Sequence, residues 1–256
     1  MVLSVKWKFF AVLLMLLLFA GLYGTYAQNG SNLDPQQEVW PELNIYYHIN
    51  DNFRLYSLIS GTKVDESSYS EGAFSVFVDY YGLKAPISKL NFIGREERFR
   101  FRLRAGYLYS TTPPTVEDKI RSSTIRIQTA NTFSITAKLR AYYKGKLDMV
   151  IADREFNARY VPRIILERDF RTEFLTFSAY TYAERYLDFQ GRDLNRTRVA
   201  IGANLRVSKN IDFETYYLHQ FHNGTTVPTV KAVGSRLKFY FSRRQKNAES
   251  IQPIER

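Results

Sequence analysis

The stretch Glu97 to Ser110, ERFRFRLRAGYLYS, carries an arginine at every second position. Arg98, Arg100, Arg102 and Arg104 alternate with Phe99, Phe101, Leu103 and Ala105, and Tyr107 and Tyr109 extend the apolar phase. A period of two is the signature of a strand, whose successive side chains leave on opposite faces. One face of this segment is a row of guanidinium groups and the other is apolar with an aromatic end. Four like charges in a row repel unless water or carboxylates lie against them. The fold must therefore offer hydrocarbon to one side of the strand and a polar space to the other.

From Trp40 onward the same alternation recurs in eleven segments. ELNIYYHI turns at NDN into FRLYSLIS, and AFSVFVDYY precedes the arginine strand. KIRSSTIRIQT turns at AN into TFSITAKLRAYY, and FNARYVPRIILE turns at RDF into RTEFLTFSAYTYAE. NRTRVAIGANLRV turns at SKN into IDFETYYLHQF, and TVKAVGSRLKFYF comes last. Longer polar links such as GTKVDESSYSEG, STTPPTVED, KGKLDMVIADRE, DFQGRDL and HNGTTVP separate these pairs. Short turns at one end and longer loops at the other are the layout of a transmembrane β-barrel with periplasmic turns and extracellular loops. Aromatics at strand ends, among them Tyr80, Tyr81, Tyr142, Tyr143, Phe239 and Phe241, match interfacial girdles.

The fold expected is all-β: a closed antiparallel transmembrane β-barrel over residues 40–241, with 12 strands, or 10 as the alternative, because bacterial barrels of this kind have even counts. The twelfth strand is sought in KLNFIG or LDMVIAD. A soluble β-sandwich also alternates, but it leaves the aromatic strand ends and the unequal turn lengths without a cause.

The N-terminus has its own character. Lys6 and Lys8 precede the apolar run Phe9–Tyr23, and Thr25 and Ala27 stand at the small-residue positions of a cut before Gln28. This is the pattern of a cleaved signal peptide over 1–27, followed by a flexible lead over 28–39. Residues 242–256 form a polar C-terminal tail beyond the aromatic Phe241. Export places the protein in the bacterial outer membrane, in contact with outer-membrane lipid. It also argues against nucleic acid as a partner, although the net charge is +11. With no cysteine, thiolate metal sites, disulfides and cysteine nucleophiles are excluded.

The inward face is where chemistry could sit. Its candidates are Arg98, Arg100, Arg102, Arg104, Lys138, Arg140, Arg159, Arg163, Glu167, Glu184, Arg198, Arg206, Asp212 and Glu214. Carboxylates are required there because an unpaired buried charge is costly. Such a network either fills and rigidifies a narrow barrel, as a structural or interaction subunit among other envelope proteins, or forms a basic, porin-like eyelet that attracts small anionic solutes. The three histidines, His48, His219 and His222, fall on different strand positions, and HQFH sends its two rings to opposite faces of a strand. No metal, cofactor or catalytic residue is expected. An outer-membrane lipid hydrolase using His219 or His222 is the less favoured alternative.

FNARYVPRIILERDF, AYTYAERYLDF and NRTRVAIGANLRVSKNIDFETYYLHQFHNG carry a further likeness. Glu167 and Arg168 stand at one strand end, Tyr182 and Glu184 at the next, and Asn195, Arg196 and Arg198 open another. Over residues 95–241 the chain resembles the family of outer-membrane barrels known as domain of unknown function 2490. The resemblance implies a Gram-negative outer-membrane β-barrel and brings no activity with it.

Overall fold

The computed structural model describes residues 36–64, 69–82, 101–111, 121–136, 138–152, 155–172, 175–189, 196–222 and 229–242. The expected leader, nearly all of the lead, the C-terminal tail beyond residue 242, KLNFIG, and Arg98 and Arg100 lie outside the described residues.

Eleven strands close into one barrel. They are β1 (Gln36–His48), β2 (Phe53–Val64), β3 (Tyr69–Tyr81), β4 (Phe101–Thr111), β5 (Arg121–Ser134), β6 (Leu139–Ala152), β7 (Glu155–Arg171), β8 (Thr176–Asp188), β9 (Arg196–Ser208), β10 (Ile211–His222) and β11 (Val230–Ser242). The expected count of 12, or 10, is thus corrected to 11, and closure is not antiparallel throughout. Each strand pairs antiparallel with its sequence neighbour. With an odd count the first and last strands then run the same way, so β1 and β11 meet as a parallel ladder from Gln36↔Val230 to His48↔Ser242. LDMVIAD holds no extra strand, because most of it is the second half of β6. β1 starts at Gln36, inside the stretch expected to be a lead.

Four short turns lie at one end of the barrel, here the turn end, and each is tied by a small polar side chain accepting backbone N–H groups. Asn50 Oδ1 accepts from Asn52 and Phe53 at 2.9 and 2.8 Å. Thr136 Oγ1 accepts from Lys138 and Leu139 at 3.3 and 3.1 Å. Thr172 Oγ1 accepts from Leu175 at 3.0 Å, and Ser208 Oγ from Asn210 at 3.2 Å. These local bonds substitute for a turn's missing ladder partners. They also correct the sequence reading at two places. The β5–β6 turn sits at Ile135–Lys138 rather than at Ala130–Asn131, and the β7–β8 turn follows Arg171 rather than occupying Arg168–Phe170. The opposite end, where β2 passes to β3 and β8 to β9, is the loop end.

Alternation holds around the circumference. In β9, Val199 and Ile201 are exposed on the outer wall, whereas Ala200 and Asn204 are buried inside. Phe74, Val76, Val78, Ile125, Ile164 and Ile201 are each at least 43% exposed on the outer wall. The barrel is therefore inverted relative to a soluble protein: its apolar band faces out and its charges face in.

Candidate functional site

The interior is a set of charge clusters stacked along the barrel axis. At the turn end, Arg54 on β2, Asp79 on β3 and Arg104 on β4 stand in one row, paired Arg54↔Asp79 and Asp79↔Arg104. Arg54 donates to Asp79 Oδ2 from Nε at 3.0 Å and from Nη2 at 2.5 Å. Arg104 donates from Nε to Oδ1 at 2.5 Å and from Nη2 to Oδ2 at 2.9 Å. Arg54 and Asp79 have no exposed surface. Aromatic rings complete the shell: Tyr46 lies 4.3 Å from the Arg54 guanidinium and Tyr56 3.8 Å from that of Arg104. Tyr46 stacks between Tyr56 and Tyr240 at 4.7 and 4.9 Å. Farther round the same end, Arg140 bridges Glu167 at 3.0 Å and Asp169 at 2.6 Å, and Arg206 approaches Asp212 at 3.4 Å.

Midway along the axis a second cluster stitches the parallel seam. Glu42 on β1 faces Arg236 on β11 in register. Arg236 donates to Glu42 from Nε and Nη2 at 2.6 and 2.9 Å, and from Nη1 to Glu214 at 2.6 Å. Lys238 adds a contact to Glu214 at 2.6 Å. Tyr216 donates to Glu42 at 3.0 Å and Tyr180 to Glu214 at 2.5 Å. Both tyrosines lie flat on the wall because the residue beneath each ring is glycine. A Cβ on Gly234 would stand 2.0 Å from Tyr216 Cζ, and one on Gly202 would stand 2.6 Å from Tyr180 Cζ.

Toward the loop end a third cluster surrounds Tyr186 of β8. Glu184, 2% exposed, accepts from Arg163 Nε at 2.7 Å and from Arg198 Nη1 at 3.4 Å. Arg198 also donates to the Tyr186 hydroxyl at 2.5 Å, which in turn donates to Glu184 at 3.0 Å. Asp148 of β6 is held by Arg126 at 2.7 and 3.1 Å, with Lys146 at 4.0 Å. Arg196 and Arg159 approach the same tyrosine ring at 4.1 and 5.7 Å.

A cavity of about 420 Å³ runs between these clusters, lined by Trp40, Glu42, Arg102, Arg126, Lys144, Lys146, Arg198 and Lys238 among others. Of the residues expected inside, Arg102, Arg104, Arg140, Arg159, Arg163, Glu167, Glu184, Arg198, Arg206, Asp212 and Glu214 stand on inward phases of their strands. Lys138 does not: it is exposed in the β5–β6 turn, because β5 ends at Ser134 and Thr136 Oγ1 holds the Lys138 N–H within the turn. Sequence reasoning passed over Glu42, Arg54, Asp79, Arg126, Asp148, Asp169, Arg236 and Lys238. The inward phase of each strand was a usable signal for most of them. Asp148 and Asp169 fall in KGKLDMVIADRE and RDF, segments that read as a link and a turn. His219 is on the outer phase, stacked on Phe221 at 4.2 Å, and His48 closes β1 at the turn end. Among the described residues, no group of three or more histidine or acidic side chains could hold a metal ion.

Among solved structures, the chain is similar to the beta domain of the Bordetella autotransporter BrkA, with 11% identity, 71% of this chain and 81% of that chain covered, and a TM-score of 0.43. It is also similar to in-vitro folded OmpT, an outer membrane protein of Vibrio cholerae in its trimer form, with 9% identity, 76% and 92% covered, and a TM-score of 0.32. No curated protein matches the chain. The family model described as "Protein of unknown function (DUF2490)" matches residues 37–231, which is nearly all of the barrel, and the chain belongs to that family.

Proposed function

We propose that the protein is an exported outer-membrane barrel whose basic lumen serves as a narrow passage favouring small anionic solutes. An outward face of Phe, Ile, Val and Leu on every side suits a hydrocarbon environment, and strands of 11 to 17 residues are long enough for a tilted crossing. Residues 1–27 would supply export and be removed. The observation that carries the reading is the inward set of arginines and lysines around the 420 Å³ cavity, since a ring of fixed cations lowers the barrier for an anion and raises it for a cation.

A second reading rests on the turn end. There Arg54 and Asp79 are fully buried, which suits a barrel closed by its own network and acting as a structural or interaction subunit of the envelope.

Planar-bilayer recording of the wild-type protein decides between the two. A passage gives unitary currents whose reversal potential in a chloride gradient marks anion preference, and Arg102→Glu with Arg126→Glu reduces that preference. Cation selectivity overturns the basic passage. Electrical silence from folded, inserted protein favours the closed barrel.

A further inference from the structure

Among the described residues, the cluster around Tyr186 holds more guanidinium donors than its carboxylates take up. Tyr186 is 4% exposed. Besides Arg196 at 4.1 Å and Arg159 at 5.7 Å, its ring has Arg198 at 4.7 Å and Lys146 at 5.3 Å. Four cations around one ring need counter-charge. Among the described residues, the two buried carboxylates at hand, Glu184 and Asp148, are held chiefly by Arg163 and Arg126. Asp188 faces Arg159 in register, but its carboxylate accepts from Asn157 Nδ2 at 2.6 Å. The Nε–H groups of Arg159 and Arg196 are both buried, and neither has an acceptor among the described residues.

The placement of these two arginines is specific. Arg196 is the first residue of β9 and pairs with Tyr186, and Arg159 lies near the start of β7. Both therefore stand at the loop end, while Lys146, Arg198 and Tyr186 line the cavity below them. A buried Nε–H without an acceptor forfeits a hydrogen bond worth more than a neutral one. A planar guanidinium fork matches the paired oxygens of phosphate or carboxylate, and Arg is preferred to Lys wherever that match matters.

We infer that Arg159 and Arg196, over Tyr186, form a binding site for a soluble oxyanion of the phosphate class, entered from the loop end of the lumen. Both side chains leave on the inward phase, away from the apolar outer wall, so the occupant is a solute rather than a lipid headgroup. Tyr186 keeps the forks apart and fills the floor, and Lys146 and Arg198 add positive potential beneath. The inference rests on the proposed passage only in requiring that the loop end of the lumen admit a solute.

The test uses full-length folded protein in neutral detergent and inorganic phosphate as the probe, with ionic strength held constant by chloride. Wild-type protein should broaden the phosphorus resonance of phosphate along a saturable curve and gain thermal stability over the same range, as a ligand of the native state does. Arg159→Gln with Arg196→Gln should weaken binding at least tenfold. Lys138→Gln with Lys209→Gln removes the same charge from exposed turns at the other end and should leave the curve unchanged. Absence of saturable broadening in the wild type overturns the site, and that measurement needs no variant to fold. Equal binding by the arginine variant, or equal loss in the lysine control, also overturns it. Phosphate binding by a barrel that carries no current removes the passage and keeps the site, whereas anion current without phosphate binding does the reverse.

Discussion

The two ends of the lumen are built from the same side chains and do different things with them. At the turn end, one carboxylate, Asp79, sits between two arginines on adjacent strands, and aromatic rings exclude water from the group. At the loop end, Glu184 and Asp148 are also gripped by arginines, but Arg159 and Arg196 stand over them with buried Nε donors that find no acceptor among the described residues. Arginine content alone does not separate a structural ion cluster from a binding surface. What separates them is whether a neighbouring strand brings a carboxylate within hydrogen-bond reach of each guanidinium, as Asp79 is for Arg54 and Arg104 and as no described carboxylate is for Arg159 and Arg196.

The comparison is broken most sharply at Asp79. Asp79→Ala strands two guanidinium groups, one of them with no exposed surface. Removing one partner of a buried ion pair costs on the order of 3–5 kcal/mol, and two cations lose their anion here. Urea unfolding in detergent should show a loss in that range, or the variant should fail to reach the compact, heat-modifiable form on gels. A loss below about 1 kcal/mol would mean that water reaches the cluster and that the turn end is not dry.

How much of this could be read from the sequence differed from strand to strand. NRTRVAIGANLRV has Arg198, Ala200, Gly202, Asn204 and Arg206 in one phase, and its turn at Ser208–Asn210 coincides with the end of the alternation. There the pattern alone places Arg198, Arg206 and, across the turn, Asp212 and Glu214. Around β5 and β6 the signal misleads. Lys144, Gly145 and Lys146 look like a polar link, although Lys144, Lys146 and Asp148 keep the inward phase while Leu147, Met149 and Ile151 keep the outward one. A charged phase facing a lumen resembles a loop when it is judged by polarity rather than by period. Asp169 is hidden in the same way, inside RDF. The odd strand count was present in the eleven alternating segments, and the even-number rule for bacterial barrels argued it away. The parallel seam follows from the odd count and has no local sequence mark. Glu42 and Arg236, which tie it, lie far apart in the chain and meet only on closure.

Between the two ends lies the seam, and its glycines offer a smaller effect. Gly234→Ala puts a methyl where the Tyr216 ring now rests, 2.0 Å from Cζ. The ring must lift off the wall and its hydroxyl must leave Glu42. Overpacking of this kind costs about 1–3 kcal/mol. The expected result is a lower unfolding midpoint, and Tyr216→Ala should cost less when added to Gly234→Ala than when made alone, since the clash goes with the ring. If the two losses simply add, the ring is not what the glycine accommodates. The two ends would then be joined by a looser wall than the hydrogen bonds suggest.

The smallest effect in stability is expected at the loop end, and its sign is informative. Arg159→Gln with Arg196→Gln deprives no described carboxylate of a hydrogen bond or close ion pair, and it relieves repulsion among cations sharing the Tyr186 ring. The unfolding free energy should therefore change by no more than about 0.5 kcal/mol, the range of substitutions that break no buried partnership. Salt sharpens the contrast. Going from about 0.01 M to 0.15 M ionic strength shortens the Debye length from about 30 to 8 Å, which screens repulsion in a cluster open to solvent and leaves a dry ion pair nearly untouched. Wild-type protein in sodium chloride should gain stability over that range, the arginine variant should gain less, and the Asp79 cluster should contribute to neither response. A loss of several kcal/mol in the variant would instead mark Arg159 and Arg196 as partners in a closed network like the one at the turn end. A salt response unchanged from wild type would mean that the cations around Tyr186 do not repel one another across the lumen.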